Sequence, residues 1–434
     1  MVSIEEAQRL ITAHVRTLGV EEIDCRVADG RVLAEDISSG QDMPDVPKAA
    51  VDGYALRAED GVAERRVVAE ITAGGAAMHA TPLQSGTAAR IMTGAPIPPG
   101  ADAVVMVEQT EEQDGVMRIR RELRPGENIH QIGQDISRGA LILPRGTVIG
   151  SSEIALLATV GRVRVQVYRR PRVAVLSTGD EVQEPDVAHA VGGIRDSNRY
   201  ALMAAAREAG CETISLGIAR DDLETQRRAI LSAFEQADVL LTSGGVSMGT
   251  RDLIKPLLAE LGTVHFGRIE FKPGKPTTFA TITGANVGAD AGSDVGADVG
   301  AKHWAISLAA RSPNASPLHV FGLPGYPVSS LVSFEVFVRP ALRRMMGAAQ
   351  PDRPTIRVAL RDPIKPSPDR PEYQRVIVSF EDGRLTARST GAQGSSRLLS
   401  MRGANALLHV PAGTEIYPVG AELDAMVTGV IVTG

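Results

Sequence analysis

The sequence predicts a multidomain α/β plus β protein: a doubly wound α/β domain, preceded by an inserted β-rich domain and followed by a small C-terminal β-barrel. Three observations predict it. From Pro171 onward, short apolar strands alternate with amphipathic helices. Between Val67 and Val107 the strands are short, and glycine and proline interrupt them at Gly74-Gly75 and Pro98-Pro99-Gly100. After Pro354 helical periodicity disappears and short alternating strands run to the end.

In the α/β region, Arg172–Leu176 reads as a nearly continuous apolar strand. A helix is expected from about Asn198 to Ala209, stopped by Gly210. Strand Thr213–Ile218, helix Asp222–Gln236 and strand Asp238–Thr242 follow. Such alternation argues for a parallel sheet, whose ligands bind beyond the carboxyl ends of the strands. The series resumes with strand His319–Gly325 and a helix from Ser329 to about Met345. Between them, residues 285–317 read as a surface insertion, because the four-residue repeat from Val287 to Lys302 cannot bury much surface. Asp290, Asp294 and Asp298 suggest a calcium loop less well than a solvated one, and a strand is expected around Trp304.

At the start, Ser3 is the expected N-cap, with Glu6 completing a capping box, of a helix carrying Ile4, Ala7, Leu10, Ile11, His14 and Val15. Residues Ser137–Arg170 return to short strands with a helix at Ser152–Thr159, and could pair with the N-terminal segment. The expected domains are therefore 1–40 with 137–170, an inserted 41–136, 171–346, and 347–434 beyond the linker Pro351–Pro354.

Bulk composition narrows the function. The net charge of −6 gives no basic surface for nucleic acid. Cys25 and Cys211 form neither a metal spacing nor a disulfide framework, and the eight histidines show no ligand spacing. No apolar stretch spans a bilayer and the N-terminus does not read as a signal peptide, so a cytoplasmic protein without membrane partners is expected.

The chemistry-bearing motifs fall at expected strand ends. Ser243, Gly244, Gly245 and Ser247 lie in a glycine loop whose N–H groups and hydroxyls could approach an anion, although many strand-to-helix turns need glycine. The helix expected from about Asp252 would add its N-terminus. Lys272 and Lys275 sit on one proline-stiffened turn, which favours an anion between them or else simple solvation. Ser329 and Ser330 open a helix that could take an oxyanion or merely be well capped. Glu181, Asp221 and Asp252 lie at or beyond three strand ends; each could be a cap, but together they suit Mg²⁺, which favours one or two carboxylates plus substrate phosphates.

Read in order, VDGYA, IMTGAPIPPGADAVVMVE, GENIHQIGQDI, STGDEV, DSNRYAL, GIARDD, TSGGVSMGTRD, KPGKPTTFA and GLPGYPVSS resemble the molybdopterin molybdenumtransferase family, MoeA and the E domain of gephyrin. The resemblance spans almost the whole chain. It implies an elongated four-domain subunit whose α/β domain binds molybdopterin, in a homodimer. The implied active site lies between domains III and IV of one subunit and domain II of the other. The implied reaction inserts molybdate into adenylylated molybdopterin, with Mg²⁺, and releases AMP; the preceding pathway adenylyltransferase is a further implied partner.

Carried over, Asp52, Thr93 and Asp135 match active-site positions of the first half, and Glu181, Asp221 and Asp252 match the acidic set, with Asp252 the first Mg²⁺ ligand. Arg268, Lys272, Lys275 and Ser329 match oxyanion- or phosphate-binding positions. Arg375 and Ser395 match a second anion-binding pair. Tyr326 departs from the usual Asn, and Arg268 stands where many members have Lys. An adenylyltransferase, a non-catalytic scaffold and a tungstate-specific paralogue are the alternatives.

Overall fold

The computed structural model describes residues 1–74, 81–245, 253–284 and 316–433. The 287–302 repeat and the strand expected around Trp304 lie outside these residues. Helix α1 (Ile4–His14) opens the chain, capped by the Ser3 hydroxyl, which accepts from the Glu6 N–H at 3.1 Å. The Glu6 carboxylate, expected to complete the capping box, turns instead to Arg9 at 2.7 Å, because a cation three residues on offers a charged partner on the same face. Ile4, Ala7 and Ile11 form the buried face.

Strands β1 (Val20–Asp24), β2 (Ile37–Ser38), β3 (Lys48–Ala49), β4 (Gly53–Leu56), β5 (Arg65–Ile71), β6 (Thr87–Ile91), β7 (Ala103–Met106), β8 (Thr110–Gln113), β9 (Val116–Ile119), β10 (Ile129–His130) and β11 (Leu141–Leu143) follow. Helix α2 (Ser151–Thr159) and β12 (Arg164–Tyr168) complete the first half. Six of these strands form one sheet in the order β7-β4-β6-β5-β9-β8. Around it, β1 pairs antiparallel with β12 and β2 with β11, so the chain leaves one small layer and returns to it.

The α/β unit runs β13 (Arg172–Thr178), β14 (Val182–Gln183), β15 (Ile194–Arg195), α3 (Asn198–Glu208), β16 (Glu212–Ala219), α4 (Leu223–Gln236), β17 (Val239–Ser243), α5 (Ile254–Leu261), β18 (Thr263–Phe266), β19 (Thr278–Ile282), β20 (Leu318–Leu323), α6 (Pro327–Ser333) and α7 (Arg339–Met345). Its sheet order is β16-β13-β17-β20-β19-β18. The first four strands are parallel, but β19 runs antiparallel to β20 and β18 to β19. The four strands expected from the sequence are thus parallel, and two antiparallel strands extend the sheet at one edge. The β18–β19 connection holds the short lysine turn, and a parallel crossover needs about a dozen residues or more, usually a helix.

Alternate strand residues feed two cores. Val173 and Val175 join Leu202 and Ala206 of α3, whereas Ala174 and Leu176 join Phe234 of α4 and Leu257 of α5. Burying each large apolar side chain contributes about 1.5–3 kcal/mol. The helix expected from Ser329 starts at Pro327 and carries one wide turn, Phe334–Val338, between α6 and α7. Pro340 has no N–H for the Val336 carbonyl four residues back. The Gln8 amide of α1 reaches that carbonyl instead, at 3.4 Å.

The C-terminal strands are β21 (Thr355–Leu360), β22 (Glu372–Glu381), β23 (Arg384–Ser389), β24 (Ala406–Val410), β25 (Glu422–Val427) and β26 (Val432–Thr433). The first five close a ring, β23-β21-β25-β24-β22, through the β22–β23 pairing, and β26 adds to β22. This is the expected barrel. Tyr373 and Leu407 lie in the α/β core rather than the barrel's own, so the two units pack as one body. Burial pushes the Tyr373 phenol up to about 12. Among the described residues, no helix is long and apolar enough to cross a membrane.

Candidate active site

Four parallel neighbours, β16, β13, β17 and β20, end on one edge of the sheet, so the loops after Thr178, Ala219, Ser243 and Leu323 meet there. Gly244 has φ of +92°, and a Cβ on it would lie 2.8 Å from the Thr178 carbonyl oxygen. On Gly245, at φ +63°, a Cβ would lie 2.9 Å from Ile254. Only glycine lets this loop close over β13. The Gly244 N–H donates to the Leu323 carbonyl at 3.2 Å, so this donor serves the fold. Ser247 and Asp252 lie outside the described residues; the helix expected from about Asp252 begins at Ile254.

Asn198, the first residue of α3, ties two of these loops together. Its amide donates to the Ser243 hydroxyl at 2.6 Å and to the Gly325 carbonyl at 2.7 Å. Sequence reasoning did not single it out, although it stands in DSNRYAL beside the helix start. Behind it, buried Asp196 accepts from Ser177 at 2.8 Å and from Arg199 Nε at 2.8 Å, and Arg199 also reaches Ser215 and Glu184. Burial opposes the Arg199 charge, but Asp196 and Glu184 outweigh it and hold its pKa above the ordinary arginine value. This network fixes the loop from 179 to 196.

Glu181 stands on that loop. Gly179 has φ of +134°, and a Cβ there would meet the Glu181 carboxylate at 2.8 Å, so glycine lets the side chain fold back over the turn. The neighbouring loop is joined to it where the Asp221 N–H donates to Asp180 at 3.2 Å. Asp221 also accepts from Gln226 at 3.5 Å, while Asp222, not Asp221, caps α4 through the Thr225 N–H at 2.8 Å. Among the described residues no group of three or more His, Cys, Asp or Glu side chains could hold a metal ion. The two described acids, Glu181 and Asp221, sit on adjoining loops and present hard oxygen donors, the chemistry that suits Mg²⁺.

The lysine turn lies at the seam with the barrel. The Lys272 N–H donates to Pro371 at 3.0 Å and its carbonyl accepts from Tyr373 at 2.8 Å. The Lys272 ammonium lies 3.4 Å from Glu372, and the lysine side chain is 43% exposed. Lys275 is exposed and Arg268 half-buried; their carbonyls accept from Ile269 and Val2. A Cβ on Gly274 would fall 2.5 Å from the Phe271 ring, so the turn is tight enough to demand glycine. Buried Ser329 lies in the first turn of α6, whereas the Ser330 hydroxyl is taken by the Pro324 carbonyl. Tyr326, exposed at the N-cap, makes no side-chain cap.

Across the seam, the Ser395 carbonyl accepts from the Val328 N–H at 3.3 Å. Arg375 is fully buried on β22; Nε donates to Ser400 at 3.1 Å and Nη2 to Gly394 at 3.4 Å. Its Nη1 has no partner among the described residues. Burial pulls the guanidinium down to about 10, with Glu372 acting in the opposite direction. The seam thus sets ammonium and guanidinium donors near carboxylate oxygens.

Asp52, Thr93 and Asp135 find their partners inside the β-rich region. Asp52 accepts from the Thr93 N–H and from its hydroxyl, both at 2.7 Å. Those two bonds, the backbone one foremost, hold the Asp52 carboxyl below the ordinary carboxylate range. The exposed Asp135 donates its N–H to Met43 at 3.0 Å.

Comparison with known proteins agrees along the chain. Residues 2–161 match the model of the MoeA N-terminal region (domain I and II), residues 174–344 a "Probable molybdopterin binding domain", and residues 357–428 the MoeA C-terminal region (domain IV). Gephyrin of Dictyostelium discoideum is 38% identical over 99% of this chain, which spans 63% of that protein's length. A molybdopterin molybdenumtransferase of Nostoc sp. is 35% identical, covering 93% of this chain and 87% of its own. The crystal structure of a molybdopterin biosynthesis MoeA protein from Pyrococcus horikosii superposes with a TM-score of 0.77 at 32% identity, over 99% of this chain and all of that one. The fold and these matches therefore define a multidomain enzyme of molybdenum cofactor biosynthesis. The chain belongs to the MoeA family of molybdopterin molybdenumtransferases.

Proposed function

We infer that this chain inserts molybdate into adenylylated molybdopterin, cleaving the pyrophosphate link and releasing AMP. The observation that carries this reading is that the Glu181 and Asp221 loops follow the C-terminal ends of β13 and β16, the same sheet edge at which the Lys272–Lys275 turn enters β19 opposite Gly322, with Lys272 paired to the strand that carries Arg375. Molybdate and pyrophosphate are both anions, and fixed cationic donors stabilise transferring oxyanions more than mobile water does. Lys272, Lys275, Arg268 and Arg375 would bind and orient the two anions. Ser329 and Ser395 add neutral donors, and Asn198 keeps the Ser243 and Gly325 loops in register beside them.

Mg²⁺ fits the donor set of Glu181 and Asp221, with Asp252 expected to join them; when bound it would neutralise charge on the pyrophosphate. Asp52, Thr93 and Asp135 lie in the β-rich region, and we propose that they complete the site of a second subunit in a homodimer. A cytoplasmic enzyme that receives its substrate from the preceding adenylyltransferase fits this role.

The test is AMP release by the purified chain from adenylylated molybdopterin and Mg²⁺, with and without molybdate, alongside Asp252→Ala. Molybdate-dependent release that the substitution abolishes is the expected result. Substrate binding without release would mark a scaffold. Adenylylation of molybdopterin from ATP would move the protein one step back.

A further inference from the structure

We propose that Glu372 is a positioning residue for this reaction: an internal counter-anion that holds the Lys272 ammonium at the seam until an oxyanion replaces it. The proposal rests on the reading of Lys272 as an anion-binding group. Glu372 is 2% exposed at the start of β22. One of its oxygens lies 3.4 Å from the Lys272 ammonium, and the other accepts from Gln374 at 3.3 Å. Three residues along is Arg375, whose charge Glu372 favours against burial. One carboxylate therefore contacts the cation of the lysine turn and acts through space on the guanidinium of the barrel strand.

The arrangement differs from an ion pair that merely joins two units. That junction is already made by the backbone, through Lys272 N–H to Pro371 and Tyr373 N–H to the Lys272 carbonyl. The Lys272 side chain is 43% exposed rather than sealed, while its partner Glu372 is buried. The Arg375 Nη1 is buried with no partner among the described residues. An ammonium has three donors and a guanidinium five, so both cations keep capacity for a second anion. Without Glu372 the ammonium, on four rotatable carbons, would sample many positions.

The full chain is compared as wild type, Glu372→Gln and Glu372→Asp. Sodium molybdate binding is read by calorimetry, and kcat by AMP release from adenylylated molybdopterin. Glu372→Gln keeps the side chain's shape and removes the competing charge. The expected result is molybdate bound roughly tenfold tighter, with kcat roughly tenfold lower because the ammonium is no longer placed. Glu372→Asp keeps the charge but withdraws it by one methylene; about a threefold loss in kcat with the molybdate Kd within about twofold is expected. Unchanged or weaker molybdate binding in Glu372→Gln overturns the proposal. So does an Asp variant as fast as wild type, which decides the matter even where the Gln variant does not fold. Molybdate binding without AMP release in wild type would instead overturn the transferase reading, while the calorimetric comparison still judges Glu372.

Discussion

Gly53→Ala should unlock the part of the β-rich sheet that carries Asp52. The added Cβ would lie 1.7 Å from the Val105 carbonyl oxygen and 2.8 Å from its carbon. Non-bonded heavy atoms rest about 3.5 Å apart, so β4 and β7 must separate locally by roughly 1.5–2 Å. Both partners are backbone, and no rotamer change relieves the contact. Gly53 pairs with Met106, and the Val107 N–H one residue on donates to the Asp52 carbonyl at 3.1 Å. Overpacking costs about 1–3 kcal/mol, and a lost ladder bond about 1 more, giving roughly 3 kcal/mol in this sheet. At 1.4 kcal/mol per tenfold, amides of Tyr54–Leu56 and Ala103–Met106 should exchange hydrogen about 100-fold faster. Gly94→Ala is the control: φ is +76° and nothing lies within 4 Å, so conformational strain alone, about 1 kcal/mol, is expected. Exchange in Gly53→Ala within about threefold of wild type would refute the reasoning.

Asn198→Ala removes both bonds that join the Ser243 and Gly325 loops. The loss should be about 1–2 kcal/mol of stability with a larger effect on kcat/KM for AMP release, about 10–100-fold, because loop placement and not bulk packing is at stake; equal activity with lowered stability would make Asn198 a purely structural tie. His265 gives a pH dependence. Burial foremost, then His14 (ring centroids 3.7 Å apart) and His319, pushes its imidazole down from 6.5 to about 4. The unfolded chain therefore takes up a proton that the folded chain refuses, so this stability is present above pH 6.5 and is lost as pH falls toward 4. Urea midpoints measured across that window should fall less steeply for His265→Asn than for wild type, and parallel slopes would remove His265 as the cause.

What the sequence shows well is whatever depends on neighbours along the chain. Strands β13 and β17 read as apolar runs because both of their faces are buried, and α4 begins where Asp222 can cap it. Hidden features depend on distant partners. The β18–β19 hairpin leaves no mark of its own beside the lysine turn it carries, since Thr278–Ile282 is buried along its length and resembles any central strand. Nothing in a one-chain pattern distinguishes antiparallel from parallel in such a run. The wide turn before Pro340 follows from a missing N–H that is plain in sequence, yet the Gln8 amide that serves the freed carbonyl lies 328 residues away.

The same division runs through the site. Lys272 and Lys275 are legible because cations on a glycine- and proline-bound turn stand out from a surface average, whereas Arg375, inside β22, is reached only through the family resemblance. The groups that give those cations a fixed place are not. Glu372 opens a strand with no unusual spacing, and its meaning appears only when the barrel lays Pro371 and Tyr373 against Lys272. Asn198 likewise acquires a role only when Ser243 and Gly325 arrive beside it. A sequence displays the charges that an anion will meet. The carboxylates that restrain those charges beforehand, and so set how much affinity the anion gains by replacing them, belong to the packing of one domain on another.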